Sequence, residues 1–258
     1  MASRPGRCQS AAVPDAIFSD RRLAAVYDPL DPDRSDLDVY AALVDELGAR
    51  SVLDIGCGTG TFASMLASRG IDVTAVDPAG ASLDVARTKP AAGRVRWLHG
   101  DATVVAAVLP GLGVDLATMT GNVAQVFLID EGWAATLHAA AAALRPSGHL
   151  VFETRDPERA AWREWNREQS YARTEVPGFG AVASWHDVTS VGGELVSFRT
   201  TLLFERSGET LQSDSTLRFR SRADVERSLV DAGFVLDEVR DAPDRPGREL
   251  VFVARRRA

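Results

Sequence analysis

The apolar positions of this chain follow two different rhythms. Between Ser51 and Thr154, short apolar runs alternate with segments whose apolar residues recur every three or four positions. An apolar run bounded by turn residues reads as a buried strand, and recurrence at three and four reads as one face of a helix. Strands are therefore predicted at Ser51–Ile55, Asp72–Asp77, Arg94–His99, Val114–Thr120 and His149–Thr154. Helices are predicted between them at Thr61–Arg69, Ser82–Lys89 and Glu131–Leu144, with Gly70 as a C-cap, Pro90 as a stop and Pro146-Ser147-Gly148 as a turn. Upstream, Ser19 caps a helix through Tyr27, Pro29 and Pro32 break the chain, and Asp36–Leu47 is amphipathic. Leu37, Tyr40, Leu43, Val44 and Leu47 share its apolar face, and Gly48 ends it. Strands alternating with helices imply a parallel, doubly wound sheet.

After Asp156 the rhythm changes. Glu158–Glu168 reads as a helix carrying Trp162 and Trp165 on one face. Three strand-like runs follow, Ala181–Val191, Glu194–Glu205 and Thr210–Arg220, joined by Gly192-Gly193 and Ser207-Gly208 turns, as in an antiparallel meander. Ser221 and Asp224 start a helix through Ala232 in near capping-box form, and strands at Val235–Val239 and Leu250–Ala254 close the chain. The expected organisation is a tail over 1–18, helices and core over 19–156, a helix and meander over 157–220, and a last helix and two strands over 221–258.

Composition narrows the class. Hydrophobic residues make up 45% of the 258 and charged residues 25%, as in an ordinary globular protein. A net charge of −7 argues against a dedicated nucleic-acid binder, and Arg255–Arg257 reads as a solvated terminal tail. Cys8 and Cys57 lie in a tail and a glycine turn, so no structural disulfide is expected and a reducing cytoplasm fits. No apolar run reaches the roughly 18 residues of a membrane span, and Met1–Pro14 lacks the apolar stretch of a signal peptide.

The candidate chemistry lies in Val52-Leu53-Asp54-Ile55-Gly56-Cys57-Gly58-Thr59-Gly60. A strand ends here and three alternating glycines lead into a helix. Amides at such a corner can hold a polar or anionic group. The next strand ends in Asp77, whose carboxylate is placed to accept from both hydroxyls of a ribose. A dinucleotide fingerprint needs a sixth-position glycine counted from Gly56, and that position is Thr61.

The pattern D-x-G-x-G-x-G from Asp54 to Gly60 instead resembles motif I of the class I S-adenosylmethionine (SAM) dependent methyltransferases, and the order of elements from Ser51 to Asp156 resembles that family too. The resemblance implies a Rossmann-like, seven-stranded, mostly parallel sheet with an antiparallel last strand, here with a meander inserted. It implies SAM as cofactor and S-adenosylhomocysteine (SAH) as product. Gly56 and Gly58 would lie beneath the methionine part and the ribose, with Cys57 between them in the turn, and Asp54 would organise the loop and the ligand ammonium. Asp77 would bind the ribose and Pro78 would lie against the adenine. Asp101 and the Ala102 amide would serve the adenine ring, and Thr120-Gly121-Asn122 would face the methyl end. Asp101 also reads as a helix cap, and Asn122 as a turn residue.

Where base- or amide-modifying relatives carry Asn-Pro-Pro-Tyr, this chain has Thr120-Gly121-Asn122-Val123, similar to small-molecule N-methyltransferases. The expected reaction is methyl transfer to nitrogen, oxygen or carbon of a metabolite or natural product. A protein or tRNA methyltransferase and a non-catalytic SAM-binding regulator are the alternatives. His186, in Trp185-His186-Asp187, and Tyr27 are the candidate acid–base or acceptor-contacting residues. Trp162, Trp165, Phe179 and Trp185 read either as an acceptor pocket or as the meander's own core, and Glu153 and Arg155 end a strand where such sheets place ligand residues. No metal-ligand spacing is present. The partners expected are a small-molecule acceptor, no nucleic acid and no membrane, with the meander open to use as a dimer contact instead of a lid.

Overall fold

The structure is a computed structural model and describes residues 13–257. Its helices are α1 (Ala16–Ser19), α2 (Arg21–Leu30), α3 (Asp36–Glu46), α4 (Thr61–Ser68), α5 (Gly80–Ala86), α6 (Thr103–Val108), α7 (Asp130–Ala143), α8 (Arg167–Ser170) and α9 (Arg222–Asp231). The strands are β1 (Ser51–Ile55), β2 (Asp72–Asp77), β3 (Val95–His99), β4 (Val114–Met119), β5 (Leu144–Arg155), β6 (Ala172–Val176), β7 (Gly180–Gly192), β8 (Leu195–Phe204), β9 (Glu209–Arg218), β10 (Phe234–Asp241) and β11 (Glu249–Arg256).

Seven strands form the main sheet in the order β10-β11-β5-β4-β1-β2-β3. β3, β2, β1, β4 and β5 run parallel, and β11 is antiparallel to both its neighbours. The Rossmann-like sheet with an antiparallel last strand is thus present. The chain reverses its direction of winding between β1 and β4, so the carboxyl ends of those strands flank the crevice where open sheets bind ligands.

Period-2 burial divides the core. Leu53, Ile55, Leu150 and Phe152 face α7 and α9, and Val52, Val73, Val151 and Val251 face α3 and α4. Phe152 stacks on Phe252 at 5.1 Å across the β5–β11 pair, and Trp133 of α7 meets Phe152 edge-on. Each fully buried side chain of this size stabilises the fold by about 1.5–3 kcal/mol.

The remaining four strands form a second, antiparallel sheet in the order β6-β7-β8-β9. The expected meander is therefore one strand larger. β6 escapes the pattern because Arg173, Thr174 and Glu175 are consecutive polar residues and only Val176 is buried. The helix expected at Glu158–Glu168 is replaced by 3-10 turns at Pro157–Arg159 and Ala161–Glu164 followed by α8. Left-handed Ala160 and extended Asn166 interrupt it.

Part of the stretch expected as a tail is structured. Ala16–Ser19 is helical and Ile17 is buried. The rest of that stretch, residues 1–12 with Cys8, lies outside the described residues. Asp20, not Ser19, caps α2, accepting from the amides of Arg22 and Leu23, and Pro29 is carried inside the helix's last turn. Arg255 and Arg256 belong to β11, with Arg255 paired to Asp237, so they do not form a free tail. The Pro146-Ser147-Gly148 turn is absorbed into β5 as a bulge, since Val114 pairs Leu144 while Leu116 pairs His149.

Together α1 and α2 tie the two sheets. Ile17, Leu23 and Val26 pack with Val182, Leu202 and Phe204 of the second sheet. On the other side Ser82 of α5 donates to the Phe18 carbonyl at 2.9 Å.

Candidate functional site

The glycine turn after β1 forms as expected. Gly56, Gly58 and Gly60 all have positive φ, at 71°, 53° and 76°. The amides of Gly56 and Cys57 donate to the Val76 carbonyl at 2.8 and 3.2 Å, which pins the turn to the end of β2. Asp77 completes the attachment: Oδ2 accepts from the Gly58 amide and Oδ1 from the Ala79 amide, each at 2.7 Å. Burial raises its pKa and the two amide bonds pull it back. Each carboxylate oxygen keeps a lone pair, so the residue that closes the loop can still accept from a diol.

Asp54 is 1% exposed beneath the turn. Thr118 donates to its Oδ1 at 3.2 Å, and Oδ2 has no partner. Desolvation first, then the nearby Asp77 charge, pushes Asp54 up to about 7. The Cys57 thiol is half-buried and raised well above its usual range by burial and by Asp54 and Asp77, so it stays protonated. A Cβ on Gly56 would come within 2.6 Å of Val123, so the turn after β1 touches the segment after β4. A Cβ on Gly58 would meet nothing within 4 Å, which leaves a ligand free to approach that backbone.

At the end expected to take the adenine, Pro78 is exposed and its carbonyl lies 3.0 Å from His99 Nε2. Asp101 is exposed and accepts from the Thr103 amide at 2.9 Å and from its hydroxyl, so its cap-like role is realised at the start of α6. Ala102 is buried at that same start. Beyond β4, Thr120 is half-buried, and Asn122 is buried with φ 61°. Asn122 is more than a self-satisfied turn residue. Its amide donates to Glu153 Oε1 at 2.5 Å, and its Nδ2 donates to Glu249 Oε1 at 3.1 Å.

Those bonds open onto a buried polar network, of which the sequence marked Asn122, Glu153 and Arg155 singly but not Glu249, Arg245 or Gln125. Glu153 and Glu249 are 2% and 4% exposed. Arg245 donates to Glu249 at 2.8 Å, and Arg155 lies 3.8 Å from it while donating to Gln125 Oε1 at 2.9 Å. Arg155 is thus an inward-facing cation, not a surface ion pair, and it lies over the Trp165 ring at 5.4 Å. Burial pushes Glu153 up to about 7, opposed by the Asn122 amide and the Tyr40 phenol.

His186, on β7, is half-buried. Its Nδ1 lies 3.0 Å from the Thr200 hydroxyl, and its ring meets Phe198 edge-on. Burial and then the Arg155 charge lower its pKa, so the ring is neutral at neutral pH. Tyr27 remains 37% exposed and packs on Phe18 at 5.5 Å. Its neighbour Asp28 accepts from the Thr59 hydroxyl at 2.6 Å and pairs with Lys89, which brings α2 against the glycine turn. The four expected pocket aromatics divide. Trp162 and Trp165 converge on Phe219, Trp185 stacks on Tyr171, and Phe179 packs on Phe204.

Residues 52–148 match the family described as Methyltransferase domain. Residues 52–148 thus carry a methyltransferase domain, similar to those of SAM-dependent methyltransferases. The domain is 46% identical over 79 residues to an uncharacterized methyltransferase of Mycobacterium tuberculosis, a match covering 30% of this chain and 39% of that relative's length. The fold is similar to a SAM-dependent methyltransferase from Clostridium acetobutylicum, with TM-score 0.72 at 16% identity, covering 92% of this chain and 98% of that one. It is likewise similar to a sugar N-methyltransferase from a Streptoalloteichus species, with TM-score 0.72 at 20% identity, covering 99% of this chain and all of that one. SAM fits the methyltransferase domain as built: Asp54 Oδ2 is an orphaned buried acceptor, the backbone at Gly58 is open, and Asp77 retains free lone pairs. No helix among the described residues is long and apolar enough to cross a membrane.

Proposed function

We propose that the chain transfers a methyl group from SAM to nitrogen, oxygen or carbon of a small-molecule acceptor by direct displacement. SAM, when bound, supplies a methyl already activated by a positive sulfonium. The protein's part is to hold both reactants in line and exclude water, and orientation of this kind lowers a barrier by about 7–11 kcal/mol.

In this reading Asp54 takes the ligand ammonium, Gly56, Cys57 and Gly58 underlie the methionine part and ribose, and Asp77 takes the ribose hydroxyls. Pro78, Asp101 and Ala102 serve the adenine. Thr120 and Asn122 border the methyl. The segment 157–220 covers the acceptor, with Tyr27 and His186 contacting it from α2 and β7. His186 is suited to accept a proton because its ring is neutral and only Nδ1 is engaged.

The observation that carries the reading is the glycine turn closed by Asp77 beside the β4 turn, at the reversal point of the sheet. The second sheet, the net negative charge and the likeness to a sugar N-methyltransferase support a small acceptor. The test is incubation with methyl-labelled SAM and a panel of amines, phenols, bulk tRNA and unfolded protein. Label in the small-molecule fraction supports the proposal, and label only in the macromolecules replaces it.

A further inference from the structure

Six buried side-chain atoms among the described residues lack a hydrogen-bond partner. Four of them, on Asp54, Asn122, Gln125 and Glu153, sit at the carboxyl ends of β1, β4 and β5. Buried polar atoms are nearly always partnered, so such a concentration marks a missing partner. Three of the four are oxygens: Asn122 Oδ1, which only accepts, and Asp54 Oδ2 and Glu153 Oε2, which only accept once their carboxyls are ionised. The amide of Asn122 cannot be turned to escape this, because its Nδ2 is committed to Glu249.

The charges point the same way. Glu249 is matched by Arg245 and Arg155. Glu153 has no cation within salt-bridge distance among the described residues, although it is as deeply buried. A buried carboxylate without a counter-charge is costly unless it is protonated or a cation arrives. The groups facing it are the Tyr40 phenol from α3, Glu249 from β11, Arg155 on its own strand and the Asn122 turn.

We propose that Glu153 Oε2, together with Asn122 Oδ1, seats the acceptor's nitrogen, so that the acceptor is an amine arriving as its ammonium. The inference rests on the methyl-transfer reading and names its substrate class. The ammonium gives one N–H proton to Glu153. The freed lone pair forms the N–CH₃ bond while the C–S bond breaks, its electron pair staying on sulfur. Burial holds Glu153 near neutrality, where it takes and returns a proton readily.

The test titrates SAH-loaded protein with matched pairs at pH 8: cyclohexylamine against cyclohexanol, and benzylamine against benzyl alcohol. The amines should bind at least about tenfold more tightly than the alcohols, as a charge-assisted bond requires. Glu153→Gln, which keeps an oxygen for the Asn122 amide, should lower amine affinity about ten- to a hundredfold and leave alcohol and SAH affinities unchanged. Glu153→Asp should retain part of the amine preference. Equal binding of amine and alcohol, amine binding that survives Glu153→Gln, or loss of SAH binding in that variant would each overturn the proposal. The last would make Glu153 only a clamp on the Asn122 turn. Failure of the wild-type protein to bind SAH would instead strike the parent reading.

Discussion

The side chain of Asp77 reaches back to accept a hydrogen bond from the Gly58 amide at 2.7 Å. One carboxylate therefore shapes the glycine turn and, in the proposed reading, also takes the ribose hydroxyls. That reading couples stability and ligand affinity at this pair, and substitutions around it should separate the two.

Gly58→Ala and Gly60→Ala should behave differently. Both glycines are left-handed, so either change carries a backbone penalty of about 1–2 kcal/mol. A Cβ at position 60 would also sit 2.5 Å from Trp97 and 2.7 Å from Ala86, adding about 1–3 kcal/mol of overpacking. At position 58 it would point into open space. Thermal unfolding should show the larger loss for Gly60→Ala, while SAH titration should show the larger affinity loss per unit of stability for Gly58→Ala.

Asp28 links the arm formed by α1 and α2 to the glycine turn through Thr59, and its other oxygen pairs with Lys89. Removing it leaves a mostly buried ammonium without its anion. Asp28→Ala should cost about 1–3 kcal/mol in denaturant unfolding. It should also speed SAH dissociation measured by stopped flow, because α2 is no longer held against the turn. An unchanged dissociation rate would show that the arm does not guard the ligand.

How much of this was legible beforehand differs by region. The alternation of apolar runs with helical faces carried β1 to β5, and Ser221 capped α9 as its spacing indicated. The glycine turn and Asp77 were readable because the constraint is local: few residues other than glycine fit those φ values, and the acid follows at a strand end. The network of Tyr40, Asn122, Glu153 and Glu249 was not readable as a unit. Its members are far apart in sequence, and nothing local distinguishes a buried glutamate at a strand end from an exposed one. Asp28 was hidden for the same reason, since its partners Thr59 and Lys89 are reached only through tertiary packing. The 157–170 segment failed as a helix because its tryptophans are anchored by Phe219, and tertiary contact overrode local periodicity.

Glu153 gives the unliganded protein a specific pH dependence. Its folded pKa of about 7 lies above the ordinary 4.5, so the native state keeps a proton that the unfolded chain releases. Its contribution to stability therefore falls as pH rises from about 4.5 to 7 and is flat above. Glu153→Gln removes that term, while Asp54, also near 7, acts in both proteins. The stability of the variant relative to wild type should grow across this window in urea unfolding. A constant difference would mean that Glu153 is ionised throughout.

Calorimetric titration with SAH and with NAD, on wild type and Asp77→Asn, tests the central claim most directly. Asparagine keeps an acceptor for one amide but loses the charge and half the acceptor capacity. The account predicts that SAH binds the wild-type protein, that NAD does not, and that Asp77→Asn weakens SAH at least about tenfold while remaining folded. A folded wild-type protein that binds NAD, or that binds neither ligand, would contradict it.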